Sequence, residues 1–350
     1  MSRIKFAIVG CGAISKKHLA CISQLEECAL VGVCDLNQSL VDQFSSENGV
    51  SGFTDLDLMN ETVDPDVFVV LTPSGSHSKI VQRLSLLKKH IIVEKPIALV
   101  LSDAQKMIND CSNNGSSLSV VKQNRFNKPV VLARELYDQN HLGNLFLGTV
   151  RVRWSRSQDY YDKDEWRGTW KEDGGVICNQ AIHHIDMLQW FFGEVHSVFA
   201  ANSNAILDIE AEDTSVAVVK FKSGAIGVIE ASTAVRPCDL EGSISFLGNK
   251  GSIEIGGFAM NEIVKFELDN DSINQAELEE RFANPSTYAF AHLEYYKNYI
   301  HNLLNGNEPS VSGTEAIKSL KIVHAIYKSH NENREIILDN EDLQTQLGKT

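Results

Sequence analysis

Two glycines that directly follow a short apolar run constrain the fold of this chain more than any other feature. The run Ile4–Val9 is predicted to be a buried strand, and "GCGAIS" leads from it into a helical pattern at about Ile14–Leu25. Gly10 would permit a tight turn, and Gly12 would let the backbone approach a pyrophosphate. Ser15 stands where a third glycine is usual, and it is small enough to keep helix and strand close. The pattern therefore predicts a dinucleotide-binding loop at a helix N-terminus, with a plain strand–helix turn as the alternative.

The second apolar run indicates which dinucleotide the loop would bind. It ends in Asp35, about where an acidic side chain would hold the hydroxyls of an adenosine ribose. Positions 36–38 read Leu-Asn-Gln, so no arginine or lysine stands there to meet a 2′-phosphate. The sequence therefore predicts NAD rather than NADP, bound by Gly10, Gly12, Ala13, Ile14 and Asp35.

Short apolar runs alternate with helical patterns through the first third of the chain. The predicted strands are Ile4–Val9, Ala29–Cys34, Val67–Leu71, Ile91–Val93 and Leu118–Val121. Amphipathic stretches with helical spacing lie between them, at Ser39–Glu47, Ser76–Lys88 and Ser102–Asn113. Strands that alternate with helices are typical of a parallel, doubly wound sheet. We therefore predict an α/β Rossmann domain over residues 1–122.

The pattern changes after Gln123. One helix is predicted at "NKPVVLARELYD", with Pro129 in its first turn. Strand-like runs with alternating polarity follow, at Phe146–Trp154, Val195–Ala201, Thr214–Phe221, Ala225–Ser232, Gly242–Leu247 and Ile263–Leu268. The final stretch, roughly Tyr288–His330, has a helical pattern. These features predict a second domain of α+β class over residues 123–350, with a large and mainly antiparallel open sheet.

Charge and cysteine content argue against several classes of protein. The 350 residues carry a formal net charge of −14, which is unlike a general nucleic-acid or membrane-surface binder. The seven cysteines are scattered and form no CxxC pair, so we expect reduced thiols and no metal site. The first residues show no charged region followed by a long apolar run and a cleavage site, and a cytoplasmic protein is expected.

The stretch "HIIVEKPIAL" ends a predicted strand in a charged pair, Glu94 and Lys95. Ligands of open parallel sheets bind at the carboxyl ends of the strands, so this pair would face a nicotinamide. Lys95 would polarise a sugar hydroxyl and stabilise negative charge that develops on its oxygen. On spacing alone, a surface ion pair at the end of a strand is the alternative.

Taken in order, "GCGAIS", "TPSGSH", "EKP" and "HHID" make the chain resemble the glucose–fructose oxidoreductase / inositol dehydrogenase (Gfo/Idh/MocA) family over nearly its whole length. The resemblance implies a Rossmann domain followed by an α+β domain whose open sheet supports substrate binding and a homodimer or homotetramer. It implies that Lys95 is the central active-site residue and that Pro96 is a candidate for a cis peptide bond. It also implies that further residues border the cofactor, namely Thr72, Ser74, His77 and Glu94.

Basic and aromatic side chains are concentrated in Arg151–Gly193. Guanidinium groups bind phosphates and carboxylates through paired hydrogen bonds, and aromatic rings stack on bases. We therefore interpret the segment as part of a site for an anionic ligand. The alternative is a solvated sheet edge, with Arg151 and Arg153 on the outward face of a strand.

A helix predicted over residues 179–192 would place Asn179, His183 and Asp186 on one face. His183 is the predicted general base, because imidazole titrates near neutral pH and the resemblance puts the family's catalytic histidine here. His184 is predicted to turn toward the core or the Rossmann domain. Inositol-dehydrogenase-like members carry aspartate where this chain has Asn179, and an amide cannot take a proton at neutral pH. We therefore expect His183, together with Lys95, to carry out the proton transfer.

Finer motifs narrow the resemblance to one branch of the family. The stretches "VVKQNRFN", "WSRSQDYYDKDEWRGTW" and "GGVICNQAIHHIDML" are similar to those of UDP-N-acetyl-2-amino-2-deoxyglucuronate (UDP-GlcNAcA) dehydrogenases. That branch oxidises the sugar 3-hydroxyl with NAD and passes the 3-keto product to a PLP-dependent aminotransferase, in the synthesis of diacetamido-mannuronate for lipopolysaccharide O-antigen. The similarity adds Gln123, Trp166 and Arg167 to the cofactor contacts. It implies that the substrate contacts are Lys95, Lys122, Asn124, Arg156, Tyr161, Asn179 and His183.

Other functions stay open at this point. Another sugar or inositol dehydrogenase of the family would act on a neutral polyol, which does not need the arginines. A non-catalytic NAD-sensing regulator on the same fold would lack the active-site lysine or histidine, and this chain keeps both Lys95 and His183. A zinc alcohol dehydrogenase is disfavoured, because no Cys/His set has suitable spacing.

Overall fold

The computed structural model describes residues 3–258, 260–269, 277, 278, 280 and 290–349. The chain divides into two compact units. The first unit comprises residues 1–122 and 292–317, and the second comprises residues 123–291 and 318–350. The structure thus groups the segment 292–317 with the first unit, whereas the sequence-based division assigns it to the second domain.

The sheet of the first unit has six strands in the order β3-β2-β1-β4-β5-β6, and all neighbours run parallel. The strands are β1 Ile4–Val9, β2 Cys28–Cys34, β3 Ser51–Phe53, β4 Val67–Val70, β5 His90–Val93 and β6 Leu118–Val120. The order reverses at β1, which lies between β2 and β4, and dinucleotides bind beyond the carboxyl ends of the strands at such a point. The predicted Rossmann sheet is confirmed. The added edge strand β3 spans only three residues, too few to show a pattern.

Five helices connect these strands: α1 Ser15–Ser23, α2 Gln38–Asn48, α3 Leu56–Val63, α4 His77–Ser85 and α5 Leu101–Asn113. Side chains of Asn37 and Asp55 cap α2 and α3 by accepting backbone N–H groups of the first turn. The sequence analysis missed α3, because this eight-residue helix buries a single side chain, Met59.

The sheet of the second unit has eight strands in the order β13-β12-β11-β7-β10-β9-β8-β14. They are β7 Leu145–Arg153, β8 Val195–Ser203, β9 Thr214–Phe221, β10 Ile226–Ser232, β11 Glu241–Gly248, β12 Gly251–Gly256, β13 Glu262–Leu268 and β14 Ile336–Ile337. Strands β7 and β10 run parallel, and the other neighbours run antiparallel. The predicted mainly antiparallel sheet is confirmed. β12 was missed, because glycines at both of its ends hide the alternation.

Helices α6 Lys128–Asp138, α7 Gln158–Asp162 and α8 Ile182–Phe192 belong to the second unit. Helix α8 packs on β7 and β11. The approach is close at Gly148, where a Cβ would lie 2.5 Å from the Phe192 ring. The alternation of β8 to β10 exposes a further set of apolar side chains, namely Phe199, Val216, Val218 and Ile226.

Two helices occupy the C-terminal stretch, α9 Phe290–Leu304 and α10 Gly313–Glu332, and the predicted Tyr288 lies outside the described residues. The chain leaves the helical conformation at Gly306, which has φ +66°. Within the first unit, this stretch is tied to β6 by the Val120 N–H, which donates to the Val311 carbonyl at 2.9 Å. This bond to the edge strand explains why residues 292–317 group with the first unit.

All seven cysteines are free thiols, and six of them are buried. Among the described residues, no helix is both long and apolar enough to span a bilayer.

Candidate active site

The glycine loop between β1 and α1 has the shape that a pyrophosphate-binding loop needs. Gly10 lies at φ +102°, and a Cβ there would lie 2.8 Å from the carbonyl carbon of Leu71. Around Gly12, no described residue beyond its chain neighbours comes within 4 Å of a Cβ position, so the backbone is open there. The buried Ser15 donates its hydroxyl hydrogen to the Gly12 carbonyl at 2.5 Å. The loop and the adjoining N-terminus of α1 fit the phosphates of a dinucleotide.

Asp35, directly after β2, lies against this loop. Its Oδ2 accepts the backbone N–H of Cys11 at 2.8 Å, and its Oδ1 accepts the N–H of Asn37 at 2.9 Å. Ala13 is exposed and Ile14 half-buried in the turn that precedes α1. The structure therefore brings together the five residues that the sequence predicts for this part of the cofactor site.

The "TPSGSH" segment follows β4 and is held by its histidine. The ring nitrogens of the buried His77 lie 2.9 Å from the carbonyl oxygens of Pro96 and Thr72. Burial lowers the pKa of His77, against the effect of these two carbonyl contacts. Ser74 begins the short 3-10 helix in between. His77 therefore fixes the loop by its contacts within the first unit, which the resemblance alone did not indicate.

Glu94 and Lys95 directly follow β5, and the Lys95–Pro96 peptide bond is cis, as predicted. The carboxylate of Glu94 accepts from His18 Nε2 at 3.1 Å and from the Lys95 backbone N–H at 2.9 Å. Burial alone would raise the pKa of Glu94, but the hydrogen bond from His18 and nearby positive charge outweigh it and lower the pKa to about 2. Glu94 therefore anchors the E-K-P turn to helix α1.

The contact between His18 and Glu94 belongs to a buried cluster that sequence reasoning missed. His18 Nδ1 lies 2.7 Å from the Tyr296 hydroxyl, and the His18 and His292 rings meet edge to face. The candidate ligand atoms of His18, Glu94 and His292 all lie within 4.8 Å of one another, and within the described parts of the chain this trio has the spacing of a possible metal site. The direct hydrogen bond between His18 and Glu94 accounts for its arrangement without an ion.

Two lysines of the first unit stand at strand ends. Lys95 is half-buried beyond β5, and Lys122, shortly after β6, is 1% exposed. Lysine side chains are rarely buried so deeply unless they are paired.

In the second unit, His183 lies in the first turn of α8 beside Gln123. Gln123 Nε2 is 3.3 Å from His183 Nε2. The Gln123 amide thus contacts the imidazole ring, and the tautomer of His183 decides which ring nitrogen donates. In the segment 173–189, only Asn179 and His183 are not buried. These two residues are half-buried, whereas the rest of the segment is buried.

The predicted start of the His-bearing helix and the predicted common face of Asn179, His183 and Asp186 are wrong. Helix α8 begins at Ile182, and Asn179 lies in the preceding turn, where its N–H donates to the Gly175 carbonyl at 3.0 Å. Asp186 is buried and forms a two-pronged ion pair with Arg125, at 2.7 and 2.9 Å. The helix therefore turns Asp186 inward, away from the accessible side.

His184 and Tyr161 are both buried in the second unit. Burial lowers the pKa of His184 to about 3, and its ring meets Trp154 edge to face, so the prediction that it turns to the core is confirmed. Burial also raises the pKa of Tyr161 to about 12, and its hydroxyl lies 3.1 Å from Thr233 Oγ1. Asn124, another predicted substrate contact, is also buried, with 7% of its surface exposed.

The arginines divide into two groups. Arg151 and Arg153 form cross-strand ion pairs with Glu241 and Glu230, which corresponds to the sheet-face alternative. Arg156 and Arg167 lie outside the strands.

Arg156 contacts Asp239 at 3.2 Å, and Arg167 contacts Asp164 at 2.8 Å and stacks on Trp166 at 4.4 Å. Each guanidinium has five N–H donors, and its hydrogen bonds with described residues use two of them. Trp166 also lines a cavity of about 600 Å³ with Trp170. Arg156 and Arg167 therefore keep the capacity to bind an anion.

The predicted site residues fall into both units. The first unit carries Gly10, Gly12, Ala13, Ile14, Asp35, Thr72, Ser74, His77, Glu94, Lys95 and Lys122, and the second carries Gln123, Asn124, Arg156, Tyr161, Trp166, Arg167, Asn179 and His183.

The chain is similar to known proteins over nearly its whole length. The WlbA dehydrogenase of Bordetella pertussis, whose crystal structure holds NADH and UDP-GlcNAcA, is 37% identical, with 96% of this chain and 98% of that chain covered and a TM-score of 0.90. The Chromobacterium violaceum WlbA dehydrogenase, solved with the same two ligands, is 34% identical, with 98% of both chains covered and a TM-score of 0.91. The myo-inositol 2-dehydrogenase of Thermotoga maritima is 27% identical, with 96% of this chain and 99% of that protein covered.

Two family models match the chain. The NAD-binding Rossmann fold of the Gfo/Idh/MocA oxidoreductases matches residues 4–122, and the C-terminal alpha/beta domain of the same family matches residues 134–338. Both matches agree with the two sheets described above. The chain therefore belongs to the Gfo/Idh/MocA oxidoreductase family and is an NAD-dependent oxidoreductase.

Proposed function

We propose that the chain oxidises the 3-hydroxyl of UDP-GlcNAcA to a ketone with NAD as acceptor. At the coarser level it is an NAD-dependent sugar or polyol dehydrogenase. The observation that carries the finer proposal is the similarity to two proteins whose structures hold NADH together with UDP-GlcNAcA. Those proteins are 37% and 34% identical over at least 96% of this chain, whereas the inositol dehydrogenases reach 27% and 24%.

The first unit would hold NAD through its glycine loop. The open backbone at Gly12 and the amides that begin α1 would bind the pyrophosphate, and Asp35 would accept from the ribose hydroxyls. NAD, when bound, accepts the hydride from the sugar carbon. Further cofactor contacts are proposed from the family resemblance: Ala13, Ile14, Thr72, Ser74, His77, Glu94, Lys95, Gln123, Trp166 and Arg167.

His183 and Lys95 would handle the proton and the developing charge. His183 would take the proton of the 3-hydroxyl as general base, and the Gln123 amide, 3.3 Å from its Nε2, would help to orient the ring. The Lys95 ammonium would hydrogen-bond the same oxygen and stabilise its negative charge. The O–H proton would pass to His183 and the hydride from C3 to NAD, so that the C3–O single bond becomes a carbonyl.

The negative charges of UDP-GlcNAcA match the arginine side chains of the second unit. UDP-GlcNAcA carries a diphosphate and a carboxylate, and the guanidinium groups of Arg156 and Arg167 would provide paired N–H donors for such groups. Aromatic side chains next to these arginines would stack on the uracil. The remaining proposed substrate contacts are Lys122, Asn124, Tyr161 and Asn179.

A polyol dehydrogenase is the second candidate. It is favoured by the similarity to inositol dehydrogenases, which extends over 96% and 95% of this chain. A neutral inositol would not need Arg156, so the two candidates differ in how strongly activity depends on this residue.

We further propose a homo-oligomer and a metabolic partner. Phe199, Val216, Val218 and Ile226 are each at least 40% exposed on the open side of the sheet, and a second copy would cover such a surface. The 3-keto product suits an aminotransferase that uses PLP, which would link the enzyme to lipopolysaccharide synthesis. Light scattering after size exclusion tests the first point, and coupled amination of the product tests the second.

A substrate panel tests the proposed reaction. NADH formation is followed by absorbance, with a carbonyl trap present because oxidation of an alcohol by NAD can be unfavourable. We expect NADH from UDP-GlcNAcA and none from UDP-N-acetylglucosamine, which lacks the carboxylate, or from myo-inositol. NADH formation from myo-inositol alone would instead establish the second candidate.

Charge-removing variants provide the internal control. Lys95→Ala should abolish NADH formation, whereas Lys106→Ala, which removes a half-exposed lysine on α5, should leave it unchanged. Arg156→Met should raise the KM for UDP-GlcNAcA about tenfold or more, as expected for a lost charged hydrogen bond. Equal KM values for wild type and Arg156→Met would contradict the proposed role of the arginine.

A further inference from the structure

A buried carboxylate directly contacts the accessible amide beside the candidate base. Asn179 Nδ2 donates a hydrogen bond to Oδ1 of Asp173, which is 1% exposed. The second carboxylate oxygen of Asp173 accepts the backbone N–H of Gly168 at 2.8 Å. Asp173 is therefore fixed by the backbone on one side and holds the Asn179 amide on the other.

The turn that carries Asn179 is held by a second buried carboxylate. Glu212 Oε1 accepts the Ile177 N–H at 3.0 Å and the Tyr327 hydroxyl at 3.1 Å. The Gly175 N–H donates to the same Tyr327 oxygen at 3.2 Å. A Cβ on Gly175 would lie 2.2 Å from Glu212, so the backbone can follow this path only with glycine. The backbone position of Asn179 is thus set before any ligand arrives.

The contact with Asp173 also decides which end of the Asn179 amide a ligand meets. A planar amide has one donor nitrogen and one acceptor oxygen, and a carboxylate accepts. Because the nitrogen turns to Asp173, the carbonyl Oδ1 lies at the other end of the amide. Asn179 and His183 are also the two side chains of the segment 173–189 that are not buried.

We propose that Asp173 is a positioning residue, which orients Asn179 so that its carbonyl oxygen accepts a hydrogen bond from a sugar hydroxyl of the substrate. The inference rests on the proposed function only in treating Asn179 as a substrate contact. The N–H that donates to Asp173 is not available to a substrate oxygen, and Nδ2 keeps one further N–H. The site would therefore favour a ligand with a hydroxyl donor at this position over one with an ether or carbonyl oxygen there.

Exchanging the two polar groups separates orientation from mere stability. In Asp173→Asn, the new amide can still accept from Gly168 through its oxygen, but its N–H would face Asn179 and turn the Asn179 amide round. In Asn179→Asp, two carboxylates would meet and repel each other. The double variant D173N/N179D restores a donor–acceptor pair and again presents an acceptor oxygen to the substrate.

The four proteins are compared by steady-state kinetics at slightly alkaline pH, with thermal unfolding as a check of the fold. Asp162→Asn serves as the matched control, because it removes an exposed carboxylate on α7 that contacts Gln158. We expect each single variant to raise the KM for UDP-GlcNAcA about tenfold while kcat and the KM for NAD change less than about threefold. D173N/N179D should return the KM to within about threefold of the wild type.

An Asp173→Asn variant with the wild-type KM, or a double variant no better than the single ones, would overturn the inference. If Asp173→Asn does not fold, the comparison of Asn179→Asp with D173N/N179D decides by the same criterion. A wild type that does not oxidise UDP-GlcNAcA would refute the proposed function instead. The same variants would then be judged on the polyol that the wild type oxidises, with the same expected pattern of KM values.

Discussion

Replacing the buried Glu212 with glutamine tests how the turn before helix α8 is held. Burial, the largest influence, raises the pKa of this carboxyl from an ordinary 4.5 to about 7, against the lowering effect of hydrogen bonds from Ile177 and Tyr327. Glutamine keeps an oxygen that can accept both bonds and removes the titration. The substitution therefore changes the pH dependence of folding and leaves the hydrogen-bond acceptor in place.

The expected magnitude follows from the two pKa values. Between pH 4.5 and 7 the unfolded chain loses a proton that the folded protein keeps, so the free energy of unfolding falls as pH rises through this window. Above pH 7 the raised pKa of Glu212 lowers the free energy of unfolding by its full amount. Because a shift of one pKa unit is worth about 1.4 kcal/mol, this amount is about 3 kcal/mol. The buried amide of the variant adds a penalty of about 1–3 kcal/mol, which does not depend on pH.

Urea unfolding followed by tryptophan fluorescence, at several pH values from about 5 to 8, measures this difference. Relative to the wild type, Glu212→Gln should gain about 2–3 kcal/mol of unfolding free energy across that range. Glu165→Gln, at an exposed position of the same unit, controls for the general change in charge and should show no such gain. If the wild type and Glu212→Gln keep a constant difference at every pH, Glu212 does not hold a proton in the folded protein and the reasoning is refuted.

Three further predictions concern the cofactor loop and the core of the second unit. Gly10→Ala should abolish NADH binding in a fluorescence titration and destabilise the fold by about 2 kcal/mol or more. Gly10 has φ +102°, and a Cβ there would lie 2.8 Å from the Leu71 backbone. Normal NADH binding by the variant would contradict the proposed loop. Asp35→Ala should weaken NADH binding about tenfold and reduce the preference over NADPH, since both the ribose contact and the Cys11 N–H acceptor are lost; an unchanged ratio would remove Asp35 from the cofactor site. Asp186→Asn should cost about 3–5 kcal/mol in urea unfolding, because it breaks a buried ion pair with Arg125; a loss below about 1 kcal/mol would show that the pair is not structural.

The fold could be predicted where a pattern repeats within a few residues. The apolar runs, the glycine loop and the acidic end of β2 are local features, and the parallel sheet follows from them. Elements that are short, or that show little difference between an apolar and a polar face, were missed. Strand β3 has three residues, and helix α3 buries one side chain. The wrong start of α8 has the same origin, because the turn before it is helix-like in sequence, although buried contacts of Asp173 and Glu212 fix its path.

Site residues that belong to a sequence motif could be predicted. Residues that contact them from distant positions in the sequence were missed. His18 contacts Glu94 across 76 positions and Tyr296 across 278, and no spacing rule connects such residues. Asn179 and Asp186 were grouped on the assumption that they share one helix face. In the structure, the Asp186 carboxylate instead forms a buried ion pair with Arg125. The arginine-rich segment needed the structure to separate Arg151 and Arg153, which are bound within the sheet, from Arg156 and Arg167.

The proposed reaction is tested most directly by following the hydrogen at C3 of the sugar. UDP-GlcNAcA that carries deuterium at C3 is incubated with the enzyme, NAD and a carbonyl trap, and the nicotinamide product is analysed by mass spectrometry. The proposal predicts NADH that contains one deuterium and a trapped 3-keto sugar nucleotide, and neither product with Lys95→Ala. Unlabelled NADH from the same substrate, or no NADH in the presence of an intact cofactor site, would contradict oxidation at the 3-hydroxyl.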